Sequence, residues 1–119
     1  MKKILIIEDD PSQQAAYKLK LASSYNLTIA TTGDEAAGLL QTIVPDLIIL
    51  DVMLPGGKNG FDILTTIKEN PTTSGIPVIM LTNLNEDQRE TAINCGASEF
   101  LNKTQVGPSA LETVLEKYL

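Results

Sequence analysis

The chain has 119 residues, and its 9 lysines and arginines against 15 aspartates and glutamates give a formal net charge of −6, with no histidine at all. That length suits one domain around a single core, and 43% hydrophobic with 20% charged residues is an ordinary globular composition. The missing histidines exclude an imidazole base, a histidine metal ligand or a phosphohistidine on this chain, and the acidic balance argues against direct contact with nucleic acid.

The first apolar run, Ile4-Leu5-Ile6-Ile7, follows Lys2-Lys3 and gives way at once to Glu8-Asp9-Asp10. Four apolar residues are too few for a signal peptide, and no run in the chain reaches the ~18 to 20 apolar residues of a membrane span. The run reads instead as a strand buried on both faces. Asp10-Pro11 then supplies an N-cap and a proline at the first helical position, predicting a helix to about Ser23. Leu27 to Ala30 is a shorter and more polar strand that suits an edge. Gly33-Asp34-Glu35 opens a second helix, with Ala36, Leu39, Leu40 and Ile43 on one face and Pro45 as its stop.

Leu47-Ile48-Ile49-Leu50 is a second doubly buried run, closed by Asp51. Gly56-Gly57-Lys58-Asn59-Gly60 is turn chemistry, and Gly60 opens a third helix carrying Phe61, Leu64 and Ile67 before Asn70-Pro71. Val78-Ile79-Met80-Leu81 is the third doubly buried run, closed by Thr82. Asn85 with Gln88 resembles a capping box for a fourth helix that Gly96 ends, and Cys95 reads as a small buried residue late in that helix. Glu99 to Asn102 is a second edge strand, followed by Lys103. Gly107-Pro108 opens a last helix with Leu111, Val114, Leu115 and Tyr118 inward. A single cysteine forms no internal disulfide and fits a reducing compartment, so the expected location is the cytoplasm.

Five alternations of strand and helix predict right-handed crossovers and a parallel sheet covered on both sides. There is no internal repeat or interdomain linker, so residues 1–119 read as one domain, either complete or cut where the fifth helix ends. In such a sheet, ligands bind beyond the carboxyl ends of the strands. Strand one delivers Glu8 and Asp9 there, strand three Asp51, strand four Thr82 and strand five Lys103. Asp10 is better read as a helix cap, because Pro11 follows it. Three clustered carboxylates raise one another's proton affinity unless a cation joins them. Hard oxygen ligands without histidine or cysteine favour Mg²⁺. A carboxylate beside Mg²⁺ can act as a nucleophile in phosphoryl transfer, with a hydroxyl and an ammonium stabilising the phosphoryl oxygens. No Gly-x-x-x-x-Gly-Lys-Ser/Thr loop is present to support a nucleotide hydrolase.

The motifs Ile4 to Asp10, Leu47 to Gly56, Val78 to Thr82, and Gly96-Ala97 ahead of Phe100-Leu101-Asn102-Lys103 stand in order across the whole chain. With them the sequence resembles the response-regulator receiver domain of two-component phosphorelay systems (CheY-like). The resemblance implies an α/β, flavodoxin-like, doubly wound (βα)5 three-layer sandwich with a five-stranded parallel sheet of order 2-1-3-4-5. It implies Asp51 as phosphoacceptor, with Thr82 and Lys103 contacting the phosphoryl group. Mg²⁺ would be bound by Asp9, Asp51 and the Met53 backbone carbonyl, with Glu8 supporting it through water. Phe100 would be the aromatic that follows a shift of Thr82. The implied function is a phosphorylation-activated switch rather than an enzyme, acting only on its own aspartyl phosphate. Its partners would be a sensor histidine kinase or histidine phosphotransfer protein, and a downstream target or an output domain of the same protein. Homodimerisation on phosphorylation, through the fourth and fifth helices, is compatible with it; direct binding to nucleic acid or membrane is not expected.

Against the family pattern, the Asp51–Gly60 loop is one residue longer, Thr104 follows Lys103 where proline is frequent, and Asn83 replaces a small residue. Met53 and Leu84, two beyond the acceptor and the threonine, are apolar and cannot orient an attacking water, which predicts slow self-dephosphorylation. Two rivals compete with this reading. A haloacid-dehalogenase-like phosphatase also uses Asp, Mg²⁺, Thr and Lys, but carries a second Asp where this chain has Met53, as well as a cap domain. A pseudo-receiver binds partners without phosphorylation, which intact Glu8, Asp9, Asp51, Thr82 and Lys103 argue against.

Overall fold

Each apolar run forms a strand in a computed structural model that describes residues 1–52, 59–82, 88–103 and 108–119, with Thr82, Pro108 and Ser109 described through their backbone alone. The strands are β1 (Lys3–Ile7), β2 (Asn26–Ala30), β3 (Leu47–Asp51), β4 (Val78–Thr82) and β5 (Glu99–Asn102). The helices are α1 (Pro11–Leu21), α2 (Gly33–Leu39), α3 (Gly60–Glu69), α4 (Arg89–Asn94) and α5 (Pro108–Tyr118). All neighbouring strands pair in parallel in the order β2-β1-β3-β4-β5, the flavodoxin-like doubly wound arrangement.

The absence of polar alternation in the three central strands has a direct cause: both faces are covered. Leu5, Ile7, Ile48, Leu50, Val78 and Met80 point into one apolar layer with Ala36, Leu64, Ile67 and Ala92 of α2, α3 and α4. Their chain neighbours Ile4, Ile6, Leu47, Ile49, Ile79 and Leu81 point into the other, with Tyr17 and Leu21 of α1 and Leu111 and Leu115 of α5. Burial on this scale stabilises by about 1.5–3 kcal/mol per large aliphatic side chain. β2 and β5 are more polar and stand at the two sheet edges.

The helix ends follow local chemistry. Asp10 caps α1, its carboxylate accepting from the Ser12 N–H at 2.8 Å. The helix stops at Leu21, two residues before the expected Ser23, with Ala22 as its C-cap. Thr32 caps α2 by accepting from the Glu35 N–H at 3.1 Å. α2 ends at Leu39, so Ile43 lies past the helix instead of on its apolar face. The competition there is visible: the Thr42 hydroxyl donates to the Leu39 carbonyl at 3.1 Å, and Pro45 disfavours helical backbone at Val44. α4 is described from Arg89 with Gln88 as its N-cap residue, whose side chain makes no capping hydrogen bond; Asn85, the proposed partner, lies outside the described residues. Cys95 is the C-cap of α4 and only half-buried, which corrects the expectation of a buried thiol. Gly96, at φ +107°, then ends the helical path in a conformation that L side chains rarely adopt. No described helix is long and apolar enough to cross a membrane.

Candidate functional site

The ends of β1, β3 and β5 bring four charged groups to the carboxyl edge of the sheet. Glu8 follows the buried run of β1 and is itself 2% exposed, while Asp51 ends β3 at 8% exposed. Asp9 stands beside them in solvent, and carboxylate oxygens of Glu8, Asp9 and Asp51 all lie within 4.8 Å of one another. The Lys103 ammonium, just past β5, donates to Glu8 Oε1 at 2.5 Å and to Asp51 Oδ2 at 3.0 Å. These contacts span 95 and 52 residues of sequence and are closed only by the parallel pairing of the sheet.

The electrostatics follow from burial. Removal from water pushes the Glu8 carboxyl up; the hydrogen bond from Lys103 pulls it down, and the nearby Asp51 charge pushes it up again, for a net rise. Burial also opposes the charge on Lys103, but its hydrogen bonds to Glu8 and Asp51 and their negative charges together outweigh it and raise the ammonium. Burial, with smaller help from the charges of Glu8 and Asp51, raises the Tyr17 phenol.

Three carboxylates stand against one ammonium at this edge, an acidic excess that a divalent cation would offset. The donors are hard oxygens with no histidine or thiolate among them, which fits Mg²⁺ or a similar ion better than zinc or copper. The donor set therefore suits the metal that the sequence implies.

Of the other expected site residues, Thr82 ends β4 at the same edge, paired in register with Asn102. Phe100, 2% exposed, is packed inward in the layer under α4, and the Arg89 guanidinium lies 6.0 Å from its ring centre. Met53, Leu84, Asn83, Thr104 and the loop residues Gly56, Gly57 and Lys58 lie outside the described residues. Past that loop, Asn59 caps α3 by accepting from the Asp62 N–H at 3.0 Å. In the sequence, Gly60 reads only as the opening of a helix. A Cβ there would stand 2.4 Å from the Asp51 carbonyl oxygen and 2.8 Å from Val52 Cα, so the glycine is what lets α3 start against the end of β3.

A doubly wound sheet with this acidic, lysine-bridged edge defines a receiver-type signalling fold. The family model described as "Response regulator receiver domain" matches residues 4–116, and the chain belongs to that family. It is 36% identical over 103 residues to Response regulator PleD of Caulobacter vibrioides, covering 85% of this chain and 22% of that protein. Among solved structures, it resembles the signal receiver domain of a signal transduction histidine kinase from Syntrophus aciditrophicus, with TM-score 0.89, 32% identity and coverage of 100% and 90%. It also resembles the Mn²⁺-bound form of response regulator Rcp1, with TM-score 0.83, 30% identity and coverage of 98% and 91%. Several of the curated relatives it matches are much longer, the chain spanning between 22% and 50% of their length. Neither the phosphatase rival nor the pseudo-receiver is favoured by these similarities.

Proposed function

We propose that residues 1–119 act as one receiver domain and as a phosphorylation switch, with Asp51 accepting the phosphoryl group in a Mg²⁺-dependent reaction. The observation that carries this reading is the cluster of Glu8, Asp9 and Asp51, whose oxygens lie within 4.8 Å and whose charge Lys103 only partly offsets. Glu8, Asp9 and Asp51 would hold Mg²⁺, with the Met53 backbone carbonyl as a further ligand. The ion would supply charge neutralisation at the phosphoryl oxygens.

The chain's own groups perform the rest. An oxygen of the Asp51 carboxylate attacks phosphorus, an O–P bond forms as the N–P bond of a partner's phosphohistidine breaks, and the imidazole leaves to be protonated. The product is an acyl phosphate on Asp51. Lys103 moves from neutralising Asp51 to donating to the new phosphoryl oxygens, and the Thr82 hydroxyl donates to another. Thr82 drawn inward would let Phe100 repack and change the face formed by α4, β5 and α5. Two packings separated by a few kcal/mol suffice, the scale of one or two charge-assisted hydrogen bonds.

The domain would thus be a signalling module rather than an enzyme, in the cytoplasm. The phosphoryl group would come from a sensor histidine kinase or a histidine phosphotransfer protein. Its target would be a separate protein or an output domain of the same protein, and homodimerisation through α4 and α5 is one form the output could take. The test is incubation with a small acyl-phosphate donor, with and without Mg²⁺, followed by intact mass. Stoichiometric gain of one phosphoryl group that needs Mg²⁺ and is lost in Asp51→Asn supports the switch. Turnover of many phosphate esters, or no labelling, contradicts it.

A further inference from the structure

Gln14, half-buried on the first half of α1, makes two contacts that ordinary helix packing does not require. Its side-chain amide nitrogen donates to the backbone carbonyl of Glu8 at 2.7 Å and reaches the Thr31 hydroxyl at 3.5 Å. Its backbone N–H donates to the Asp10 carbonyl at 2.9 Å. One residue therefore grips the Glu8–Asp10 turn at both ends, and Asp9 is the residue between. The rest of the turn is fixed on the same pattern: the Glu8 N–H donates to the Ala30 carbonyl at 2.9 Å, and the Asp10 N–H to Glu8 Oε2 at 3.3 Å.

The consequence is geometric. The peptide group is planar, so a donor held on the Glu8 carbonyl sets the plane of the Glu8–Asp9 peptide and with it the direction in which Asp9 leaves the backbone. Asp9 is the exposed member of the acidic cluster; it has no burial to hold it, unlike Glu8 and Asp51.

The geometry points to Gln14 as a positioning residue for the cation site: its side-chain amide fixes the Glu8–Asp9 peptide so that the Asp9 carboxylate faces Glu8 and Asp51. The inference rests on the proposed divalent-cation site and deepens it. The role belongs to the side chain alone, because the backbone N–H bond to Asp10 is an ordinary helical one that any residue at position 14 would make.

Mn²⁺ is the probe, with free ion read by electron paramagnetic resonance in titrations of wild type, Gln14→Met, Gln14→Glu and Asp51→Asn. Met keeps the length of Gln and lacks the donor; Glu keeps the shape, swaps the donor for an acceptor and adds a negative charge. Loss of a group that orients a ligand typically weakens a metal site by 10–100-fold, so both Gln14 variants are expected to bind about tenfold more weakly, with melting in chelator close to wild type. If position 14 acted only through charge, Gln14→Glu would bind more tightly. Wild-type affinity in either variant, tighter binding by Gln14→Glu, or a loss of affinity accompanied by unfolding in chelator overturns the inference. Mn²⁺ binding that Asp51→Asn abolishes and Gln14→Met retains overturns it alone; no binding by the wild type overturns the cation reading together with it.

Discussion

Replacing Lys103 by methionine isolates the charge that holds Glu8 and Asp51 together. At the observed separations of 2.5 and 3.0 Å, each ion pair is worth about 6 kcal/mol in gross Coulomb attraction at an effective dielectric constant of ~20. Glu8 does not lose that much in the variant, because it can take up a proton. A carboxyl of ordinary value 4.5 must climb about 2.5 pH units to be protonated at pH 7, at about 1.36 kcal/mol per unit, so Glu8's share of the penalty is capped near 3.4 kcal/mol. At pH 5 the climb is about half a unit and the cap about 0.7 kcal/mol. The sign agrees with the raised Glu8 carboxyl: the stability it contributes is complete below 4.5 and fades as pH rises through its higher folded-state value. For 119 residues at about 2.1 cal/mol/K each, Glu8's share of the loss is at most about 14 °C in melting temperature at pH 7 and at most about 3 °C at pH 5, so the variant should lose more at pH 7. Thermal denaturation of both proteins in chelator at the two pH values measures it. An equal loss at both would mean that Lys103 acts through packing and would refute the electrostatic account.

Three further outcomes are expected. Saturating Mg²⁺ at about 100 times its dissociation constant should stabilise the wild type by about 2.7 kcal/mol, read as a rise in melting temperature that Asp51→Asn loses; an equal rise in the variant would move the ion away from this edge. Gly60→Ala forces a Cβ against the backbone of Asp51 and Val52, and denaturant titration should show about 1–3 kcal/mol of destabilisation. Met53→Asn supplies an amide that can orient water, so the aspartyl phosphate should decay faster than in the wild type; unchanged decay would show that the apolar side chain does not set the lifetime.

What the sequence made legible was whatever local chemistry dictates. β1, β3 and β4 announced themselves as short unbroken apolar runs, and Glu8, Asp51 and Thr82 stood out because each ends or follows one. Asp10-Pro11 announced the start of α1 for the same kind of reason. The end of α2 was harder, because Ile43 continues the apolar period although the Thr42 hydroxyl and Pro45 act against the helix there. Contacts closed by the tertiary fold left no local trace. Nothing near Lys103 in sequence says that its ammonium lies on Glu8 before any phosphoryl group arrives. Gln14 gave no signal because its partner is a backbone carbonyl, which every residue possesses. Gly60 could have been found by asking why a glycine follows a capping asparagine at the start of a helix, since the usual place for glycine is the other end.

Phosphoryl transfer is expected to end on Asp51 and nowhere else. Its most direct test is to label the protein with a small acyl phosphate and Mg²⁺, reduce the product with borohydride, digest it, and locate the reduced residue by fragment mass. Asp51 alone should be converted to homoserine, and omitting Mg²⁺ should abolish the conversion. Conversion of Asp9 or Glu8, or of no carboxylate in protein shown to bind the ion, would contradict it.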